Sequence, residues 1–235
     1  MTKLTFTSAS TLVERVFSLP YFEPNEEGVT PIPVRHIAGR DPLVLFLGDN
    51  ASGKSFARRI VRSIAQQNKI ECIHISMQSR AADPSMSGGI RSFIYGTEEW
   101  ESTGVNSVGT VLGGIRTCLE RDASHVMFWD EPDIGLSDAW AAGIGVAVRD
   151  FACSATAHTK AVFVVTHNKA LVSQLAAVEP HVVFFGEERR ESLGAWLSEP
   201  ALPRDIATLK DVSHRRFLLI DKILKRVRKT AKNGE

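Results

Sequence analysis

The hydrophobic positions of the chain fall into two kinds of pattern. Short continuous apolar runs, rich in β-branched and aromatic residues and bounded by turn-forming residues, are typical of buried strands. They occur at residues 42–47, 70–76, 125–129, 161–166 and 181–185. Between them, apolar residues recur at the spacing of an amphipathic helix. These helical stretches cover residues 54–67, 109–121, 138–152 and 169–177.

The alternation of strands and helices predicts an α/β fold in which helices flank a mainly parallel sheet. Strands that are apolar throughout fit a sheet that is covered on both faces. We place this core in residues 41–190. Residues 1–40 hold four prolines and the acidic turn EPNEE, and predict a small part made of antiparallel strands or irregular structure.

Residues 191–235 form a C-terminal extension that ends in a basic amphipathic helix. Its apolar stripe comprises Phe217, Ile220, Ile223, Leu224 and Val227, and eight lysines and arginines lie between residues 214 and 232. Three interpretations stay open: a packed terminal helix with a solvated basic face, a nucleic-acid contact, and docking to a partner protein. The helix dipole alone also favours cations near a C-terminus.

Composition narrows the choice of protein class. Hydrophobic residues make up 43% and charged residues 23% of the 235 positions, which is ordinary for a soluble domain. The net charge of +1 gives no whole-molecule attraction to nucleic acid or membranes. The three cysteines are far apart, as expected of buried thiols rather than a disulfide or zinc site. Because no apolar run could serve as a signal peptide or cross a bilayer, we expect a cytoplasmic protein without membrane insertion.

The strongest motif is LFLGDNASGKS, which matches the phosphate-loop pattern GxxxxGK(S/T) between a strand and a helix. Small residues allow backbone N–H groups to curl around phosphate oxygens, and the helix start adds its positive dipole end. Lys54 is predicted to reach the β- and γ-phosphates, and Ser55 to hold Mg²⁺. The predicted nucleotide-binding loop comprises Gly48, Asp49, Asn50, Ala51, Ser52, Gly53, Lys54 and Ser55.

Polar residues follow two of the other apolar runs. Asp130 and Glu131 come directly after the run at 125–129, and His167 follows the run at 161–166. Open α/β sheets bind ligands at the carboxyl ends of their strands. We therefore assign Asp130 to the Mg²⁺ shell, Glu131 to general-base catalysis, and His167 to orienting water or sensing the γ-phosphate.

A phosphate loop, then DEP followed by GLSD, then THN after a strand, resembles the ABC-type ATPase superfamily over residues 42–185. The resemblance implies ATP and Mg²⁺ as ligands. It implies that Asp130 and Glu131 are the extended Walker B pair, that Asp138 is the aspartate of the D-loop, and that His167 is the switch histidine.

The resemblance also implies two further elements. Gln78 best matches the Q-loop glutamine, which senses Mg²⁺ and the attacking water. ABC-type ATPases complete their site in trans with a signature loop similar to LSGGQ. The family's spacing places its serine at Ser107, where the stretch 106–110 keeps the serine and the second glycine, Gly109. A helix starting at Gly109 is then expected to follow, and a plain loop is the alternative.

The interval between Lys54 and Ser107 is 53 residues, much shorter than in the ATPase subunits of transporters. It leaves no room for the helical subdomain that couples those subunits to a membrane partner. The compact spacing of 76 residues from Lys54 to Asp130 is similar to that of MutS-type ATPase domains. We therefore expect a minimal ABC-like ATPase that forms a homodimer, or a hetero-oligomer with an effector protein, in DNA repair or anti-phage defence.

Other functions stay open. A nucleotide-gated clamp with little turnover would explain the degenerate signature, and a transporter subunit would share the same motifs. A small-molecule P-loop kinase would have no use for DEP, GLSD and His167 together. Tyr21 and Phe22 are candidates for stacking on adenine, but the choice of ATP rests on the family resemblance.

Overall fold

The structure is a computed structural model that describes residues 6–76, 102–188 and 190–233, the last eight of these as backbone only. Helices and strands alternate along most of these ranges. In chain order they are α1 (Ala9–Phe17), β1 (Val34–Ile37), β2 (Arg40–Gly48), α2 (Lys54–Gln67), β3 (Glu71–Ser76), α3 (Thr103–Leu119), β4 (His125–Asp130), α4 (Asp138–Ser154), β5 (Thr159–Val165), α5 (Lys169–Leu175), β6 (Pro180–Phe185), α6 (Leu193–Ser198) and α7 (Thr208–Asn233).

The strands of the described residues form a single sheet in the order β1-β6-β2-β5-β4-β3. The edge strand β1 runs antiparallel to β6, and each of the other neighbouring pairs is parallel. This confirms the predicted α/β fold with a mainly parallel sheet. The order places β2, which leads into the phosphate loop, between β6 and β5.

Side chains of the strands alternate between two buried faces. One face packs on α1 and α2 through a cluster that includes Phe46, Phe128 and Phe163. The ring centroids of Phe128 and Phe163 lie 5.1 Å apart in a stacked arrangement. The opposite face packs Leu45 and Trp129 against α3, α4 and α5. Burial on both faces explains why the strands read as continuous apolar runs.

Residues 1–40 contain the predicted antiparallel strand, β1, and also the helix α1, which the prediction did not include. Ser8 caps this helix: its hydroxyl accepts a hydrogen bond from the Thr11 N–H, and the Thr11 hydroxyl accepts one from the Ser8 N–H. Leu12, Val13 and Val16 are fully buried against the sheet. A nine-residue helix beside a proline-rich segment gains most of its stability from this packing, so local periodicity alone was a weak signal.

The start of α3 is a second correction. The sequence predicted a helix from Gly109, but the helix begins at Thr103, with Ser102 as its N-cap. The Ser102 hydroxyl accepts a hydrogen bond from the Val105 N–H. The prediction failed because it took the helix start from family spacing and overlooked the serine cap at Ser102, five residues before Ser107.

The C-terminal extension packs on the core. Trp196 of α6 is buried in the cluster that also holds α4 and α5. The predicted C-terminal helix is α7, which has 26 residues and packs Ile220 against the opposite cluster. In the parts of the chain that are described, no helix has the length and apolar character that a membrane span requires.

Candidate functional site

The loop between β2 and α2 has a conformation that depends on glycine. Gly48 has φ +139°, and a Cβ there would lie 2.3 Å from the carbonyl oxygen of Phe185. Gly53 has φ +106°, and a Cβ there would lie 2.6 Å from Ile32 Cγ2. Side chains at either position would meet both backbone strain and a steric clash. The two glycines of the sequence pattern are therefore required by the shape of the loop.

The side chain of Lys54 is hydrogen-bonded to the backbone of this loop. Its Nζ donates hydrogen bonds to the carbonyl oxygens of Gly48 at 2.7 Å and Asp49 at 2.8 Å. The side chain is buried, and burial lowers the pKa of Lys54 to about 8, against the opposing charges of Glu131 and Asp49. Arg216, on α7, lowers it further. The ammonium therefore lies in a pocket where another negative charge would stabilise it.

Asp130 ends β4 and faces a guanidinium and an imidazole. Its Oδ2 lies 3.6 Å from Arg58 Nε on α2 and 3.7 Å from His74 Nε2 on β3. Neither nitrogen has a hydrogen-bond partner among the described residues. Sequence reasoning missed both residues. Arg58 lies one helical turn after Lys54, and this spacing could have placed it beside the loop.

Glu131 has a left-handed backbone, with φ +54°, which costs an L-residue about 1–2 kcal/mol. Its N–H donates to the Val165 carbonyl at 2.8 Å, which joins the end of β4 to the end of β5. Burial raises the pKa of Glu131, the neighbouring Asp130 raises it further, and Lys54 opposes both. A carboxylate with a raised pKa is better suited to accept a proton.

His167 lies beside Glu131, with 3.6 Å between His167 Nε2 and Glu131 Oε1. Burial is the main cause that lowers the pKa of His167 to about 4, and the positive charge of Lys54 adds to it. The imidazole is therefore neutral at neutral pH, with one ring nitrogen as donor and the other as acceptor.

Two hydrogen bonds connect the segments that follow β4 and β5. The Thr166 hydroxyl donates to Asp133 Oδ1 at 2.7 Å, and Asn168 Nδ2 donates to Asp138 Oδ1 at 3.3 Å. Thr166 is fully buried, and burial raises the pKa of Asp133 while this hydrogen bond lowers it. Sequence reasoning missed Asp133, although it lies two residues after the acidic pair.

A cavity of about 400 Å³ brings most of the predicted site residues together. Its walls are the phosphate loop, the end of β4, the start of the segment after β5, and one face of α7. The predicted residues that line it are Asn50, Ala51, Ser52, Gly53, Lys54, Ser55, Asp130, Glu131 and His167. Gly48 and Asp49 adjoin it through their hydrogen bonds with Lys54.

Ser107 and Gly109 are not among the residues that line this cavity. Ser107 is fully buried inside α3, and its hydroxyl shares its one proton between the carbonyl oxygens of Thr103 at 2.9 Å and Ile134 at 2.7 Å. Gly109 is exposed in the middle of the same helix. The prediction that Ser107 stands at a helix start is therefore wrong. Gln78 lies outside the described residues.

The start of α3 instead contacts the GLSD segment. A Cβ on Gly104 would lie 2.8 Å from the carbonyl oxygen of Gly135. Gly135 has φ +80°, and a Cβ there would lie 2.9 Å from Thr103 Cβ. The two backbones therefore pack directly against each other.

The C-terminal helix covers the outer side of the phosphate loop. The guanidinium of Arg216 donates a hydrogen bond to the carbonyl oxygen of Ala51. Before α7 begins, Arg204 forms ion pairs with Asp49 at 2.8 Å and Glu188 at 2.6 Å. The three sequence interpretations of the basic helix did not include this placement.

The sheet order, the glycine-dependent loop after β2 and the helix that follows it define a P-loop NTPase-like fold. No protein-family model and no curated protein matches the sequence. Among solved structures there are weak similarities to this chain.

One such likeness is to a chain in the crystal structure of the complex of the archaeal ribosomal stalk protein aP1 and the archaeal ribosome recycling factor aABCE1. The identity is 17%, over 64% of this chain and 39% of that chain, with a TM-score of 0.39. Cdc6p from Pyrobaculum aerophilum is 16% identical over 63% of this chain and 40% of its own, with a TM-score of 0.36. The chain thus spans about two fifths of either neighbour's length, and the function has to be argued from the site.

Proposed function

We propose that the protein binds ATP with Mg²⁺ and hydrolyses it, as a minimal ABC-type ATPase. The observation that carries this proposal is the single cavity that joins the Lys54 loop, Asp130, Glu131 and His167. Phosphoryl transfer depends mainly on positioning and charge stabilisation, and these residues offer both.

The residues of the cavity suit separate tasks. Lys54 and the backbone of the loop bind the phosphate chain. Ser55 and Asp130 offer a hydroxyl and a carboxylate oxygen, the hard ligands that suit Mg²⁺, and would hold the ion, which neutralises phosphate charge. Glu131 takes a proton from the attacking water, and its raised pKa favours this step. The neutral imidazole of His167 orients that water through a hydrogen bond.

We propose that the protein acts as an ATP-dependent dimer, either with a second copy or with an effector protein. In this proposal the start of α3, and not Ser107, takes the role of the signature loop at the subunit interface. The Ser107 hydroxyl is not available for this role, because it is directed at the Ile134 carbonyl. Two large apolar side chains support an interface near the starts of α3 and α4. Val105 is 53% exposed and Trp140 is 68% exposed.

DNA repair or anti-phage defence is the setting that we propose for the partner protein. The short interval between Lys54 and the start of α3, and the resemblance of the DEP and GLSD motifs to ABC and SMC ATPases, support this choice over membrane transport. Among the described side chains of α7, Arg215 and Lys222 are exposed, and we propose that they are available for nucleic acid or a partner.

A second function, a nucleotide-gated clamp with little turnover, is favoured by one observation. Asp130 lies close to Arg58 and His74, which compete with Mg²⁺ for its carboxylate. Steady-state phosphate release separates the two functions. Tight ATP binding with a turnover no faster than that of Glu131→Gln would support the clamp.

The test of the main proposal is the Glu131→Gln variant, whose molar mass is measured by light scattering with and without Mg-ATP. Loss of the base should trap the ATP state and produce a dimer or a stable complex. Ser102→Arg added to this variant should abolish the dimer.

The matched control is Ser192→Arg, which removes a similar serine cap at the start of α6, where the Ser192 hydroxyl accepts a hydrogen bond from the Ala195 N–H. This control should still dimerise. If wild-type protein neither binds nor hydrolyses Mg-ATP, the proposed function is wrong.

A further inference from the structure

Arg216 occupies a special position on α7. One face of this helix, comprising Ser213, Arg216, Phe217, Ile220 and Leu224, lines the phosphate-loop cavity. An adjoining face, comprising Val212, Arg215, Arg216 and Leu219, lines a second cavity of about 410 Å³. Arg216 is the α7 residue that lines both cavities.

The second cavity lies on the other side of the phosphate loop. Asn50 and Ser52 also line both spaces, so the loop forms the wall between them. Apolar side chains of its lining include Val29, Pro31 and Phe185. A nucleotide has a charged phosphate chain and a largely apolar base, and the two neighbouring cavities offer surfaces for both.

The guanidinium of Arg216 has unused hydrogen-bonding capacity. Within the described residues it donates to the carbonyl oxygen of Ala51 and forms no ion pair. A guanidinium has five N–H donors in a fork that matches phosphate oxygens. Arg204 differs, because both Asp49 and Glu188 already pair with it.

The positive charges beside the phosphate loop also favour a bound anion. Arg216 is half-buried, and its burial lowers the pKa of the guanidinium, which the negative charge of Glu187 opposes. Lys54 lines the same cavity, so two positively charged side chains face one space and repel each other. An anion between the two would relieve this repulsion and replace the solvation that each has lost.

We propose that Arg216 binds the phosphate chain of the nucleotide from the same subunit, opposite Lys54, so that α7 forms one wall of the nucleotide site. This inference rests on the proposed function and adds a phosphate ligand outside the loop, the Walker B pair and His167. Bound nucleotide then holds α7 against the core through Arg216.

The experiment compares the affinities of Mg-ATP and of inorganic tripolyphosphate, which carries the phosphate chain without a nucleoside. The proteins are wild type, Arg216→Ala, Arg216→Lys and Arg215→Ala. A lost hydrogen-bonded contact to a charged group corresponds to a drop in affinity of about ten- to a hundredfold. Arg216→Ala should show this drop for both ligands, and Arg216→Lys a smaller one.

Arg215→Ala is the matched control, because Arg215 adjoins Arg216 on α7 but lines only the second cavity. It should leave tripolyphosphate affinity unchanged. If Arg216→Ala unfolds, Arg216→Lys keeps the charge and decides the question, because loss of the fork must still weaken both ligands.

The outcomes separate this inference from the proposed function. Unchanged affinities in both Arg216 variants, in a protein where Lys54→Ala abolishes ATP binding, would overturn the role of Arg216 and leave the ATPase proposal intact. Weakened ATP binding with unchanged tripolyphosphate binding would also overturn it, since Arg216 would then act on the nucleoside. Absence of ATP binding in wild type would overturn the function itself.

Discussion

Nucleotide binding should change the protonation of Lys54. Burial lowers its pKa to about 8 in the free protein, so its amine is about half protonated at pH 8. A phosphate chain beside the amine favours the charged form and returns the pKa towards its ordinary value. Binding is therefore expected to take up about half a proton at pH 8 and about a tenth of a proton at pH 7.

Isothermal titration calorimetry measures this uptake from the binding enthalpy in two buffers with different enthalpies of ionisation. Mg-ADP at pH 8 is a suitable ligand, because phosphate groups lose their last proton near pH 6. Lys54→Arg is the control, since a guanidinium stays charged at this pH and should give no uptake. A wild-type protein that binds Mg-ADP without proton uptake, or equal uptake in wild type and Lys54→Arg, would refute the reasoning.

Three further predictions follow from the geometry. Gly48→Ala should lower the free energy of unfolding, measured in urea, by more than about 2 kcal/mol, because the new Cβ meets the Phe185 carbonyl. The control Gly113→Ala, at an open helical position, should raise it by about 0.5–1 kcal/mol. His167 should titrate near pH 4 by NMR, so no step in the ATPase pH profile near 6.5 should arise from it; a normal imidazole titration would contradict its burial. Thr166→Val should cost about 1–3 kcal/mol by leaving Asp133 without its hydroxyl donor, and a cost near zero would show that water replaces the bond.

The parts of the fold that the sequence predicted are those that depend on local pattern. The five strands of the core fall within two residues of their predicted ends, because each is an apolar run and all but the edge strand β3 are largely buried. The helix after the phosphate loop spans 54–67 as predicted. Lys54 was found through the phosphate-loop motif, and Asp130 and His167 because each lies at the carboxyl end of a strand, at the same edge of the sheet.

The parts that were missed depend on contacts between distant segments. Beside its Ser102 cap, the start of α3 has a close approach of Gly104 to Gly135, a contact across 31 positions that periodicity does not reveal. Arg58 and His74 approach Asp130 from two other elements. Arg216 reaches Ala51 across 165 positions, so a basic helix that looked solvent-facing lies partly against the loop.

The contact between Gly104 and Gly135 has a mechanical consequence. A side chain between two backbones acts as a soft spacer, because it can change rotamer when one backbone moves. Neither Gly104 nor Gly135 has a side chain, and the Ser107 hydroxyl adds a hydrogen bond from α3 to the Ile134 carbonyl beside them. We therefore expect a displacement of the loop after β4 to move the start of α3 with it. Coupled movement of these two segments would connect Asp130 and Glu131 to the exposed surface near Val105.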